Sequence, residues 1–530
     1  MAVQQPSTTV NKLAAETSAG IAGQKNCYYG QMLSSGATAT SGQLYEITSY
    51  AKAVELFGNG SHLVEENLAK VFDIANLAGF KVGKPFPTIY AIGLSDPSTG
   101  VKATATITSS GNLTSAGVFS ISIGDKIKHT YKVSLGSTAT VEQQYTAIVE
   151  AINADASCPV VASSATVNSL AVVKLEHKHK GLVGNDTYIQ IHTPSVGGST
   201  FSTTAFTGGQ GEPTLTNVAT PLQNIRMHNI IYPSCWNRDL ITAFVKNSWN
   251  VDGSIKDTML FYGKIASVSS IETAVADNHQ TICPFYTKLI DEVNFKGSVH
   301  STYVDAIPAI FATILSLCVT SGSNLVNFIA NGLTAGTPHY NAVPVFNTII
   351  PSSILHAVDP LLDITDDEEV LLRGYCYNTF RNNRADNGLL TRPVVTTYKT
   401  NELGYADTAF KYIEQVKTTS VCAEYLFEAM LQRFAKVSVT TGMAQVGSLQ
   451  VTIDEISAFV VMCVEVLIAM PYGLIRAGAL DDIVDKVISS AVLNIKDGSY
   501  ATNIIGAVVM QLRQLDVNFY TTTDYTENEI

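Results

Sequence analysis

The sequence predicts an α/β (α+β) multidomain chain: a layered α/β core carrying an inserted all-β domain, then a C-terminal α+β domain with extended terminal arms. Three observations carry this reading. The chain has 530 residues, more than a single hydrophobic core supports. Short strand-like runs alternate with helix-period stretches on both sides of residues 98–212, the pattern of a layered α/β unit. Residues 98–212 themselves break that alternation with a texture rich in Thr, Ser, Gly and Val.

The elements follow in order. Residues 1–24 are polar and read as an extended N-terminal arm. The core spans 25–97 and 213–365. It opens with strands in "NCYYGQML" (26–33) and "QLYEITSY" (43–50), and a short helix ends near Phe57. After a glycine turn comes a longer helix whose Val64, Leu68, Val71, Phe72, Ala75 and Ala78 share one apolar face. "FPTIYAIGL" (86–94) is a further strand.

In the inserted block, alternation marks strands in "VKATATIT" (101–108), "VFSISIG" (118–124), "HTYKVSL" (129–135), "AVVKLEH" (171–177) and "TYIQIHT" (187–193). One helix falls near 141–154. The α/β pattern resumes with "MHNIIYP" (227–233), a helix through 238–249, "TMLFYGKI" (258–265), a helix near 269–276, "TICPFYTK" (281–288) and an apolar helix at 302–319. Residues 366–511 form the C-terminal domain, with long helices near 405–435 and 453–471 and strand-like pieces up to "GAVVMQLRQLDVNFYTT" (506–522). Residues 512–530 are the C-terminal arm.

Composition restricts function. Charged residues make up 15% of the chain, against roughly 25% in ordinary soluble proteins, and mean hydropathy is +0.17. The longest apolar runs, 306–319 and 456–470, fall short of a membrane span of roughly 18 uninterrupted apolar residues. No basic-then-apolar signal pattern stands at the N-terminus. Low charge without a span points to large protein–protein interfaces. A net charge of −12 disfavours nucleic acid as the main partner. The eight cysteines (27, 158, 235, 283, 318, 376, 422 and 463) form no Cys-x-x-Cys pair and read as reduced core residues.

The chemical inventory yields no catalytic, cofactor or metal residues. No Gly-x-x-x-x-Gly-Lys-Ser/Thr or Gly-x-Ser-x-Gly motif occurs. "FGNGSHL" (57–63) reads as a connector: Gly58 ends one helix, Asn59-Gly60 turns, Ser61 caps the next, and Glu65 and Glu66 complement its N-terminus. His177 and His179 in "EHKHK" share a strand face, but flanking lysines favour a solvated strand end over a metal pair. The acidic "DITDDEE" (363–369) reads as a helix-leading stretch. His228, His279 and His300 read as structural, and the Asn-x-Ser/Thr triplets at Asn59, Asn112 and Asn185, without a secretory signal, do not read as glycosylation sites.

Three stretches in order carry a resemblance. They are "NCYYGQML…LYEITSYAKAVELFGNGSHLVEENLAKVF" (26–72), "GLVGNDTYIQI" (181–191) and "EEVLLRGYCYNTFRNNRADNGLLTRPVVTTYKTNELGYAD" (368–407). In these the chain resembles contractile bacteriophage tail sheath proteins of the Mu-like subgroup. Phe57, Gly58, Gly60, Ser61 and Leu63 fit the family's Phe-Gly-x-Gly-Ser-x-Leu pattern, and Gly374, Arg392, Thr396 and Tyr398 fit the start of its C-terminal domain.

The resemblance implies a non-enzymatic structural subunit without cofactors, its α/β unit being the sheath core. Such subunits form stacked hexameric rings around a tail tube, lend arm strands to neighbours and contract to drive the tube through the host envelope. The implied partners are other copies of the chain, the tube protein, and baseplate and tail terminator proteins, with no direct nucleic acid and no membrane insertion. The implied location is the virion tail, after assembly in host cytoplasm. The alternatives are a sheath-like subunit of another contractile injection system or another tail structural protein.

Overall fold

The computed structural model describes residues 23–77, 87–124, 128–192, 195–249, 257–266, 275–288, 304–321, 349–350, 364–383, 388–434, 437–440, 450–469, 474–494 and 499–504. Residues 1–22 of the expected N-terminal arm, the C-terminal arm, residues 269–274 of the helix expected near 269–276, the strand-like stretch 506–522, Ala78 and His300 lie outside them.

The centre is a six-stranded sheet. Its strands are β1 (Lys25–Gln31), β2 (Leu44–Glu46), β3 (Thr88–Leu94), β12 (Asn229–Tyr232), β13 (Met259–Ala266) and β14 (Ile282–Lys288), numbered in chain order. They lie in the order β14-β13-β12-β1-β3-β2, parallel throughout except for β2 against β3. The interior strands β1 and β12 are buried at nearly every position because both faces are covered. On one face Tyr28, Ile231, Phe261 and Phe285 join a cluster that takes in α5 (Ala306–Ser321). On the other, Cys27, Tyr29, Ile230, Tyr232 and Tyr262 pack with Trp236 and with Ile241 and Val245 of α4 (Asp239–Ser248).

Between β3 and β12 the chain builds a region with its own apolar cluster, from Ala103 to Phe206. One sheet runs β10 (Ser195–Val196), β11 (Ser199–Thr203), β4 (Lys102–Ser109), β8 (Leu170–Lys180), β7 (Val160–Val167); another runs β6 (Thr130–Leu135), β5 (Gly117–Ile123), β9 (Ile189–His192). The helix α3 (Val141–Asn153) starts at a capping box of Thr140 and Gln143 and buries Tyr145, Ile148 and Ile152 against the same cluster.

The stretch expected as one long helix after the glycine turn differs in detail. Residues Leu63–Leu68 form a π-helical turn, and an α-helix, α2 (Ala69–Leu77), continues from it. Val64, Leu68, Val71, Phe72 and Ala75 are buried all the same. The shorter α1 (Tyr50–Phe57) precedes the turn.

In the C-terminal part, α6 (Asp366–Gly374) opens at a capping box of Thr365 and Glu368, and its first turn carries Asp366, Asp367, Glu368 and Glu369. The helix expected from about 405 begins only at Ile413, as α7 (Ile413–Phe434), because a turn with Gly404 at φ 81° and the Thr400–Ala406 bridge occupy the preceding residues. The next two helices are α8 (Ile453–Ile468) and α9 (Leu480–Ser490). Ile413 and Val416 of α7 and Val460 and Val464 of α8 lie in the same contiguous cluster as Tyr28 and Phe311, so helices and central sheet share one core. No helix among the described residues is long and apolar enough to cross a membrane.

Candidate functional site

Strand order places the site. The chain runs from β1 to β3 on one side and later returns to β12 on the other, so the order reverses at β1. Crevices at the carboxyl ends of parallel strands at such a reversal are where open α/β sheets present their polar groups. Here those ends are Gln31, Leu94 and Tyr232.

The glycine turn brings a histidine into that crevice. Ser49 caps α1 by accepting the Lys52 N–H at 3.1 Å, and Gly58 ends it at φ 90°. Gly60 follows at φ 80°. His62 is then buried: its Nδ1 accepts the Gln31 N–H at 3.4 Å, so Nε2–H donates to Asp305 Oδ2 at 3.1 Å. The other oxygen of Asp305 accepts the Ser234 N–H at 2.8 Å. Burial would lower the His62 pKa, but the Asp305 hydrogen bond and the Glu66 and Asp305 charges more than reverse this.

The same crevice holds the inserted region. The His62 N–H donates to His179 Nε2 at 3.0 Å, and His179 Nδ1–H donates to Asp96 Oδ1 at 2.7 Å. Asp96 also accepts from Gln31 Nε2 at 2.8 Å and from the Lys180 N–H at 3.0 Å. These bonds hold its carboxyl below the ordinary range although burial works the other way. A continuous chain of bonds thus ties β1, the residues after β3, the glycine turn and β8.

A second joint lies alongside. Lys128 Nζ donates to Glu65 Oε2 at 2.5 Å, and the Tyr50 hydroxyl to Glu65 Oε1 at 2.9 Å. His129, on the same short segment as Lys128, reaches Asp155 at 2.9 Å. Glu65 therefore stays ionised: burial opposes it, but His129 and Lys128 pull its pKa down.

His177 and His179 correct the sequence reading. They are not a solvated strand end but are 1% and 0% exposed. β8 is an interior strand of its sheet, and along it Val173, Leu175, His177 and His179 occupy alternate inward positions while Lys174, Lys178 and Lys180 face outward. The period of two continued from Val173 and Leu175 was the signal, and the flanking lysines masked it. Among the residues sequence reasoning missed, His62 directly follows Ser61, whereas Asp96 and Asp305 carry no local motif that marks them.

The family-pattern residues fall in two groups. Phe57 is buried and meets Tyr45 edge-on, with ring centroids 6.1 Å apart. Gly60 abuts the inserted region: a Cβ there would collide with the Lys178 ammonium and lie 2.9 Å from the Cys158 carbonyl oxygen. Lys178 Nζ donates to Ala156 O at 2.6 Å and Asn59 O at 3.3 Å, clasping the turn. Ser61 Oγ accepts the Val64 N–H at 3.4 Å, and Leu63 packs so close that Gly30 has no room for a side chain.

The second group stands on the C-terminal segment. Gly374 ends α6, and Arg392 Nε contacts both oxygens of buried Glu369 at 2.9 Å. Thr396 donates to Phe410 O at 2.7 Å, and Tyr398 to Asp407 Oδ2 at 2.6 Å. The segment lies along β14, where the Thr397 N–H donates to Ile282 O at 2.9 Å.

The GLVGN start of the second stretch (181–185) ties β8 to the residues near Gly209. Gly181 sits at φ 109°, and Asn185 exchanges two hydrogen bonds with the Gly209 backbone at 3.0 and 2.8 Å.

No family model matches the chain. Over 420 residues it is 22% identical to the "Mu-like prophage FluMu tail sheath protein" of Haemophilus influenzae, across 77% of this chain and 75% of that one. The chain is similar to a tail sheath protein. Among solved structures, it aligns over 92% of both chains with the sheath tail protein Lin1278 of Listeria innocua, at TM-score 0.40 and 12% identity. It also aligns with a chain of the anti-feeding prophage baseplate, over 94% of this chain and 93% of that one, at TM-score 0.40 and 10% identity.

Proposed function

We propose that this chain is a structural, non-enzymatic subunit of a contractile phage tail sheath. It polymerises as stacked hexameric rings around the tail tube and contracts to drive the tube through the host envelope. The observation that carries the reading is the similarity to a tail sheath protein across three-quarters of both chains. Low charge in a long chain supports it, because repeated contacts between copies bury surface that a monomer would keep polar. On this reading the partners are further copies, the tube protein, and baseplate and terminator proteins. The place of action is the virion tail, after assembly in host cytoplasm.

The domain layout is part of the proposal: arms at 1–24 and 512–530, a core at 25–97 and 213–365, an inserted β domain at 98–212, and a C-terminal domain at 366–511. The separate apolar cluster running from Ala103 to Phe206 supports the insertion. The arms add strands to neighbouring copies, and contraction is a change between two packings of the same subunits. Phe57, Gly58, Gly60, Ser61 and Leu63 fix the turn on which the inserted domain seats. Gly374, Arg392, Thr396 and Tyr398 fix the C-terminal segment against the core.

Electron microscopy of the purified full-length protein, beside versions lacking residues 1–24 or 512–530, tests this. Tubes or rings from the full chain, and their loss on arm removal, are expected. A full-length protein that stays monomeric at high concentration overturns the sheath reading. Tubes that persist without the arms overturn strand exchange alone.

A further inference from the structure

We propose that the crevice at the end of β1 is a divalent-cation site, in which carboxylate oxygens of Glu66 and Asp305 take a hard cation such as Mg²⁺ or Mn²⁺, His62 holds Asp305 in place, and Asp186 and the Thr187 hydroxyl line the adjoining cavity. The proposal stands independently of the sheath reading.

The geometry converges from three separate parts of the chain. Ligand atoms of His62, Glu66 and Asp305 all lie within 4.8 Å of one another. Oxygens around one hard cation stand about 3–5 Å apart, given metal–oxygen distances of about 2.0–2.6 Å. Next to them is a cavity of about 20 Å³ walled by Glu65, Glu66, Lys70, Asp186, Thr187 and the start of α5 at Ala306, among others. That is room for one water or ion. The site lies where the strand order reverses at β1, the crevice in which open α/β sheets bind ligands.

One further observation points to a ligand. Thr187, in the cavity wall, is 2% exposed, and its hydroxyl has no hydrogen-bond partner among the described residues. A buried hydroxyl without a partner costs about 1–3 kcal/mol, which a coordinated ion or its water relieves.

His62 Nδ1 accepts from Gln31, so its proton sits on Nε2 and faces Asp305. The imidazole therefore orients a ligand carboxylate and is not itself the ligand.

The full-length protein is stripped with chelator and its thermal midpoint is followed at neutral and mildly alkaline pH with added Mn²⁺, Mg²⁺, Ca²⁺ or Zn²⁺. Mn²⁺ binding is counted by electron paramagnetic resonance. One Mn²⁺ per chain and a rising midpoint are expected. Glu66→Gln and Asp305→Asn are expected to weaken Mn²⁺ binding at least tenfold, and His62→Gln about 10–100-fold. Glu142→Gln, on the exposed face of α3, leaves binding unchanged. Glu66→Gln mimics the protonated side chain, so it retains the fold. Absence of any cation-dependent shift, or equal Mn²⁺ binding by wild type and Glu66→Gln, overturns the proposal. A pH transition that added cations do not move also overturns it and makes the cluster a proton store only.

Discussion

The His62 imidazole stands 3.1 Å from the Asp305 carboxylate, across 243 positions of sequence, and this bond joins the glycine turn to the start of α5. Both residues are almost fully buried, so neither recovers water if the other is lost. Removing one partner of such a pair leaves a buried group unsatisfied. Asp305→Ala is therefore expected to destabilise the fold by about 3–5 kcal/mol. The double variant with His62→Ala is expected to cost less than the sum of the two single changes. Denaturant unfolding of the four proteins checks the coupling, and additive losses would refute it.

Stability is expected to peak near pH 6.5 in the presence of chelator. Burial first, with smaller charge effects, lowers His177 to about 3 and His228 and His279 to about 4. These bases are neutral in the fold, while the unfolded chain takes up protons below the ordinary 6.5, so stability falls as pH drops toward 4. Glu66 is raised to about 8 and Asp186 to about 7, so both stay protonated in the fold where the unfolded chain is ionised. Their contribution, with that of raised His62, is lost as pH climbs toward 8, a fall that buried Lys417, lowered to about 7, offsets in part above that pH. Melting midpoints from pH 4 to 9 should show both limbs, and Glu66→Gln should flatten the alkaline one. An unchanged alkaline limb in that variant contradicts the assignment.

Gly60→Ala tests how tightly the turn is clasped. The residue has φ 80°, a left-handed conformation that costs a side-chain-bearing residue about 1–2 kcal/mol. Its Cβ would also meet the Lys178 ammonium and the Cys158 and Ala156 carbonyls. Gly36→Ala is the matched comparison, because Gly36 has φ 77° with open space around it. The expected loss is larger at Gly60, read from unfolding midpoints, with faster proteolysis of the inserted region. Equal losses at the two glycines would show that backbone strain alone matters there.

Much of the fold was legible because parallel strands covered on both faces leave long apolar runs, as in β1 and β12. Alternation exposed β4 and β8, whose outward residues meet solvent. The onset of α7 was not legible: the residues before Ile413 have no helix breaker except Gly404, yet the local Thr400–Ala406 bridge around it and the Val395–Tyr412 bridge keep them out of the helix. The glycine turn was legible as backbone geometry from Gly58, Asn59, Gly60 and Ser61. Its role as a seat was not, because Lys178, Cys158 and Ala156 reach it from about a hundred residues away. The acidic crevice was hidden for the same reason: Glu66 reads as a helix-leading acid, and nothing near Asp186 or Asp305 in sequence brings them to it.

Glu369 is the centre of an ion group on α6, contacted by Arg392 at 2.9 Å and also by Arg373. It is 4% exposed, whereas both arginines are partly solvated. Glu369→Gln is expected to cost about 1.5–3 kcal/mol, and Arg392→Ala less, because Arg373 remains to hold the carboxylate. Chemical denaturation orders the two variants, and a larger loss for Arg392→Ala would place the stabilising role in the arginine's own packing.

Asn378 fastens the C-terminal segment to the central sheet. Its amide donates to Pro284 O at 3.0 Å and Val395 O at 2.8 Å, while its Oδ1 accepts the Val395 N–H at 2.6 Å. The residue is buried, and these bonds occupy the edge of β14 from Pro284 to the segment holding Thr396 and Tyr398. Asn378→Ala orphans the Val395 carbonyl and the Val395 N–H at once, while the Pro284 carbonyl keeps the Asn378 backbone N–H at 3.0 Å. A loss of about 2–4 kcal/mol is expected from the buried polar groups left unpaired. Asn378→Asp keeps the acceptor but removes both donors and buries a charge beside two carbonyls, so it is expected to be at least as damaging as alanine. Hydrogen exchange at the Val395 and Thr397 amides gives a local reading of the same event: both should lose protection in Asn378→Ala, while amides of the inserted region such as Ile121 keep theirs. Protection retained at Val395 would mean that the segment is held by its other bonds and that Asn378 is dispensable.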